Sequence, residues 1–237
     1  MAALMRRMSA SAVMIAGMLG VAACSTQQGV SRPSSSPGTE APSRTSRPPL
    51  TAGQLKALAL QDSEVPQAYD VPVQEPSPEE RRKTSPPVSD ASCQRVLDIL
   101  EAEGASAVVF QIYNWRENIY GGDSTLASYE GTKAQKAFRR LQEALADCRS
   151  FSGVSVAGKY KAKITTDKVP DVGDEALSFH VVIPLPDGEG VRDEHHVFVR
   201  TDDVTASFTD TNVGMPARFP LGLVNKQVER LNSARRS

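Results

Sequence analysis

Apolar residues recur along the chain in rhythms that name the secondary structure. Ala134, Phe138, Leu141, Leu145 and Cys148 follow one another at spacings of 4, 3, 4 and 3. That places them on one stripe and predicts an amphipathic helix over 132–149. Asp90 caps a second predicted helix running to about Glu103. Cys93, Val96, Leu97 and Leu100 share its inner face, and Gly104 stops it. Thr51 to Gln54 forms a capping box, with Leu50 and Leu55 in the staple positions, and predicts a short helix. Pro216 and Pro220 introduce a last helix with Leu221, Val224, Val228 and Leu231 on one face.

Between the helices the period falls to two. Ala107 to Trp115 is rich in β-branched and aromatic residues and predicts a strand. Gly121 and Gly122 turn the chain into a second strand, Ser124 to Glu130. Val154, Val156, Tyr160, Ala162 and Ile164 share one parity, and Lys159, Lys161 and Lys163 share the other. This predicts a single strand with a core face and a wet face. Leu177 to Ile183, His196 to Arg200 and Val204 to Asp210 complete the set. Short turns join these last four strands, so they are expected to be antiparallel. The fold class is α+β: a largely antiparallel β-sheet packed with helices, in a single domain.

The N-terminus has a different rhythm. Arg6 and Arg7 precede a nearly apolar run, Met8 to Ala23. The run is shorter than the roughly 20 residues of a membrane span and reads as a signal peptide over 1–23. It ends in Val21-Ala22-Ala23-Cys24, which resembles a bacterial lipobox. The resemblance implies a diacylglycerol on the Cys24 thiol, cleavage before Cys24, and palmitate-type chains holding the protein to the extracytoplasmic face of the cell membrane. An ordinary secretory signal is the plainer alternative. Residues 24–50 then form a tether dominated by Ser, Thr, Pro and Gly, a composition that cannot offset chain entropy by burial. Residues 51–90 hold the short helix and a Pro-rich lead-in, and 91–237 hold the α+β domain.

Cysteine count and charge narrow the picture further. With Cys24 lipidated, Cys93 and Cys148 remain as an even pair in an oxidising compartment, and a disulfide is expected. Two buried free thiols are the alternative. The chain carries 27 Lys+Arg against 28 Asp+Glu, which excludes a dedicated nucleic-acid binder.

Chemistry-bearing motifs are sparse. A two-residue turn at Asp187-Gly188 would put His180 opposite His195, but Pro184, Pro186 and Gly190 favour a longer turn, expected to separate them. His195 and His196 point to opposite faces, so no metal site is expected. Gly153-Val-Ser155-Val-Ala157 lacks the last glycine of the hydrolase elbow. No phosphate loop, H-E-x-x-H or paired C-x-x-C occurs, so no catalytic residues and no cofactor are expected. Two features remain as ligand-binding candidates. Lys159, Lys161 and Lys163 would stand about 7 Å apart on one strand and could meet an anion, or simply form a solvated face. Trp115, the only tryptophan, could anchor a ligand or sit at the rim of the core.

Several motifs combine in a fixed order: the lipobox, the tether, Glu64-Val65-Pro66 after a short Leu-rich helix, and cysteines opening one helix and closing another. Val172-Gly173-Asp174-Glu175-Ala176, Val197-Phe198-Val199-Arg200 and Gln227-x-x-x-Leu231 follow. This order resembles the actinobacterial lipoproteins similar to the PknH-like extracellular sensor domain, over about residues 50–237. The resemblance implies a non-catalytic extracytoplasmic domain with a cleft for an unknown small-molecule, lipid or cell-wall ligand. The family domain commonly carries two disulfides, whereas this chain can form one. Its kinase and membrane span have no counterpart in the sequence, so signalling through its own kinase is not expected. A lipid or lipoglycan carrier is the alternative function, and a secreted hydrolase a more distant one.

Overall fold

The computed structural model describes residues 47–236 except 78, 83, 84, 156, 157, 186, 187 and 189. Cys24, the apolar leader and most of the tether lie outside the described residues. The helices are α1 (Ala52–Leu58), α2 (Ala91–Leu100), α3 (Lys133–Asp147) and α4 (Leu221–Arg236). The strands are β1 (Val73–Gln74), β2 (Ala107–Tyr113), β3 (Gly122–Ser128), β4 (Ser150–Ser155), β5 (Gly158–Thr166), β6 (Glu175–Pro184), β7 (Val191–Thr201) and β8 (Val204–Val213). They form one sheet in the order β1-β2-β3-β8-β7-β6-β5-β4, and every pair in it is antiparallel. The α+β expectation is therefore met. No helix among the described residues is long and apolar enough to cross a membrane.

Local chemistry sets the helix ends. Gln54 N–H donates to Thr51 Oγ1 while Thr51 N–H donates to the Gln54 side chain, closing the capping box of α1. Asp90 accepts from Cys93 N–H at 2.8 Å and starts α2. The chain leaves α2 through Ala102 and Gly104, both at positive φ.

Each sheet face carries its own core. On one face, Cys93 and Cys148 join α2 to the end of α3 in a disulfide. The α3 stripe of Phe138, Leu141 and Leu145 is buried against Phe179, Val181 and Phe198 of the sheet. Burying each such side chain contributes about 1.5–3 kcal/mol. On the other face, Leu55 of α1 and Val224, Val228 and Leu231 of α4 pack over Val109, Leu126, Val199 and Phe208. Arg230 joins the two helices: it donates to Ala59 O at 2.7 Å and pairs with Glu64 at 2.5 Å. Hydrogen bonds from Gln61 N–H, Arg230 and Lys226 hold the Glu64 carboxyl down at about 2 against the opposing effect of desolvation.

Two expectations are corrected. Residues 154–164 are not one strand but the hairpin β4–β5. Phe151 pairs with Ala162, and Val154 pairs with Lys159. Cross-strand partners share a face, so Val154 stands on the lysine side and is 62% exposed. Parity cannot carry through a hairpin, and the sequence shows no Gly-Asn or Asp-Gly at this turn. Val156 lies outside the described residues. The second correction concerns the histidines. The loop 185–190 is longer than two residues, yet His180 pairs with His195. Leu185 N–H closes the loop on Gly190 O at 2.9 Å, symmetrically about the same centre as the His180–His195 pair. A loop lengthened equally on both sides leaves the register unchanged.

Candidate ligand-binding cleft

The face under α1 and α4 keeps apolar residues at one end of the sheet and polar ones at the other. Register places Thr165, His180, His195, Asp210 and Gly122 in one row across β5, β6, β7, β8 and β3. Asp193 lies two residues before His195 on the same face. Over this row runs the irregular segment 214–220, which enters α4. Its backbone needs partners, and buried side chains supply them. Ala217 N–H donates to Asp193 Oδ2 at 2.9 Å, Arg218 N–H to Asp210 Oδ2 at 3.0 Å, and Phe219 N–H to His195 Nδ1 at 3.0 Å.

These bonds decide what the histidines can do. His195 Nδ1 accepts a backbone hydrogen, so the neutral ring carries its proton on Nε2, which points at Ser178 Oγ 3.0 Å away. The imidazole therefore donates to the serine and cannot take the serine proton, so the pair is not a nucleophile with its base. Asp167, His180 and His195 bring three ligand-type atoms within 4.8 Å. The same proton removes the Nε2 lone pair that a metal would need. His180 Nδ1 is bonded to Asp193 at 2.9 Å. Burial, followed by the charges of His180, His196 and Arg218, lowers the His195 pKa to about 4, so the ring stays neutral and keeps accepting from Phe219 N–H.

Beside this network opens a cleft of about 570 Å³ between the lead-in at Pro66 and Gln67, the end of β2, and the 214–220 segment. Trp115 forms part of its wall. The indole stacks on Tyr113 with centroids 5.0 Å apart and meets Phe219 edge-on. Its Nε1–H donates to Asp210 Oδ1 at 2.8 Å. Gly122 is required beneath it, because a Cβ there would lie 2.8 Å from both Trp115 Nε1 and Thr209 O. Arg116 is posed by its Nε–H bond to Pro66 O at 3.1 Å and by the Tyr69 ring, 4.7 Å from its guanidinium carbon. Arg218, within the anchored strap formed by 214–220, is exposed. Burial raises the Asp210 pKa, opposed by donors from Arg218 N–H, Trp115 and Asn118.

The other candidate residues lie elsewhere. Lys159, Lys161 and Lys163 are exposed on β5 and pair with Val154, Ser152 and Ser150 of β4. They share the cleft's sheet face but do not line the cleft. Ser155 Oγ bonds Gly158 O inside the β4–β5 hairpin, not at a strand-to-helix elbow. Sequence reading missed Asp210, Asp193 and Arg218. A signal was present for the acids. Asp210 continues the inward parity of Val204, Ala206 and Phe208, and Asp193 that of Val197 and Val199. An acid at an inward position of an apolar strand needs a buried partner.

No family model matches this chain, and no curated protein is similar to it in sequence. By its structure it is an α+β domain with a polar cleft at one end of an antiparallel sheet. That fold is shared with the extracellular domain of PknH from Mycobacterium tuberculosis. The two superpose with a TM-score of 0.56 at 13% identity, over 80% of this chain and 99% of that one. The resemblance expected from the ordered motifs is thus present in the fold.

Several of those motifs have local roles. A Cβ on Gly173 would lie 2.7 Å from Arg200 O. Asp174 and Glu175 pair with the Arg200 guanidinium. Gln227 Nε2 donates to Leu58 O and so ties α4 to α1.

Proposed function

We propose that this protein is a lipid-anchored, extracytoplasmic binding module of the sensor type, non-catalytic, with its ligand in the Trp115 cleft. The observation that carries the reading is the cleft itself. Its volume lies within the ordinary range of small-molecule sites, about 300–1,000 Å³, and it holds two exposed arginines and the only tryptophan. The compartment is supported by the lipobox-like leader, by the Cys93–Cys148 disulfide and by the extracellular neighbour that shares the fold. The absence of catalysis is supported by the polarity of the Ser178–His195 bond. A carrier would need a cavity on the Tyr160 and Ile164 side. Ile164 is packed at 4% exposure, and Tyr160 meets Phe151 edge-on.

Native mass spectrometry of the chain purified from its own host tests the binding. A bound small molecule that is lost in Arg218→Ala, with the melting temperature unchanged, is the expected result. An empty wild-type protein, or an adduct indifferent to the variant, counts against the cleft. Alkyne-palmitate labelling of cells tests the anchor. Wild type is expected to label and Cys24→Ser to stay dark; labelling of both would remove the lipid from Cys24.

A further inference from the structure

The chemistry lining this cleft defines a ligand class, an inference that rests on the binding reading above. We infer that the Trp115 cleft takes a sugar-sized ring compound bearing one acid group, a carboxylate or a phosphate. Part of the wall is rigid and apolar: the indole of Trp115 and the rings of Pro66, Pro216 and Pro220. Such flat surfaces suit the C–H face of a saccharide ring, which needs contact area without losing its hydroxyls to an oily pocket.

The free polar groups are mostly donors. Among the described residues neither Arg116 nor Arg218 has a carboxylate within ion-pair distance. Arg116 spends Nε–H on Pro66 O and rests on Tyr69, which leaves its two terminal nitrogens pre-posed. Arg218 springs from a peptide held by Asp210. Asn212 Oδ1 accepts from Val213 N–H, which leaves both hydrogens of its amide to offer. Of the two acids lining the cleft, Asp210 is engaged by the fold. Asp210 Oδ1 accepts from Trp115 and Oδ2 from Arg218 N–H. Glu117 and the Gln67 amide oxygen are acceptors at the rim and suit sugar hydroxyls. Two planar guanidinium forks with few acceptors favour a ligand rich in acceptors, and carboxylate and phosphate match that fork.

Trp115 is the only tryptophan, so tryptophan fluorescence, excited where tyrosine does not absorb, reports on this cleft alone. The full chain in detergent is titrated with D-glucuronate, glucose 6-phosphate, D-glucose and inorganic phosphate. At least one acidic sugar is expected to give a saturable change at a concentration about tenfold or more below that needed for glucose or phosphate. The stronger of the two names the acid. Arg116→Ala and Arg218→Ala are each expected to weaken that response by about ten- to a hundredfold, and Arg218→Lys to restore only part of it. Glucose binding as well as glucuronate, with no effect of the arginine variants, overturns the ligand class and leaves the cleft a binding site. Silence of all four probes also overturns the class. The host-derived adduct then decides the binding reading separately.

Discussion

The two faces of the sheet are held in different ways. Under α2 and α3 the cover is regular helix, clamped by Cys93–Cys148 and filled with Phe138, Leu141, Phe179 and Phe198. The opposite face is covered partly by chain with little regular structure: the lead-in between α1 and β2 and the segment entering α4. Irregular backbone over a sheet leaves N–H and C=O groups that secondary structure does not satisfy. Buried side chains meet them. Gln111 donates to Leu60 O and Val71 O, and Ser128 accepts from Leu50 N–H. Asp193, Asp210 and His195 accept from the strap. The helical face is sealed by volume and a covalent bond. The other is assembled from directional bonds, and there the chain leaves an open cleft.

The largest test of this contrast removes the clamp. The bridge closes a loop with a sequence separation of 55 residues, for which chain entropy gives about 4 kcal/mol. Cys93→Ser with Cys148→Ser is expected to lose that much in denaturant unfolding. Trp115 fluorescence in the folded state should not change, since the indole lies on the far face. A loss under about 1 kcal/mol would mean that packing alone holds the helical face.

Next in size is the acid response of the bonded face. The pKa of His195 is about 4 when folded against 6.5 ordinarily, chiefly through burial. Between those values the unfolded chain binds a proton that the folded chain refuses. Stability therefore falls as pH drops from 6.5 to 4, by about 3 kcal/mol, and falls no further from this group below 4. Asp123, on the other face, works in the opposite sense. Desolvation by its surroundings, with Glu194 and Glu101 adding, pushes its carboxyl up to about 6. Its exposure to solvent screens that contribution. His195→Asn keeps an acceptor for Phe219 N–H and leaves Asp123 in place, so the difference from wild type isolates the imidazole. A difference independent of pH would show that His195 titrates normally.

A smaller effect is expected from the strap itself. Asp193→Ala removes the acceptor of Ala217 N–H and the partner of His180. About 1–3 kcal/mol of stability should be lost, together with faster hydrogen exchange at Ala217. Unchanged exchange there would mean that the strap holds without this carboxylate.

What could be read from the sequence follows the same division. The helical face is written in local signals: a 4-3-4-3 stripe, a capping aspartate and two cysteines at helix ends. Periodicity and caps depend on neighbours in sequence, so they are legible without the fold. The bonded face depends on partners far apart in the chain. Trp115 meets Asp210 across 95 residues, and Gln227 meets Leu58 across 169. Such pairs leave only the indirect trace of a polar residue in an inward parity. The β4–β5 hairpin escaped for another reason. Its turn carries one glycine, Gly158 at positive φ, and no turn dipeptide, so the alternation reads straight through it.

The lysine row gives the finest test, because it shares the cleft's face without sharing its construction. Lys159, Lys161 and Lys163 stand on strand positions with no helix or strap above them. None has a carboxylate within ion-pair distance among the described residues. An exposed strand face of this kind contributes little to folding. Changing all three to Gln is expected to alter unfolding by no more than about 0.5 kcal/mol. The same variant is expected to leave the Trp115 titration with acidic sugars intact. Loss of that response in the lysine variant, with Arg116 and Arg218 unchanged, would move the binding surface out of the cleft and onto β5.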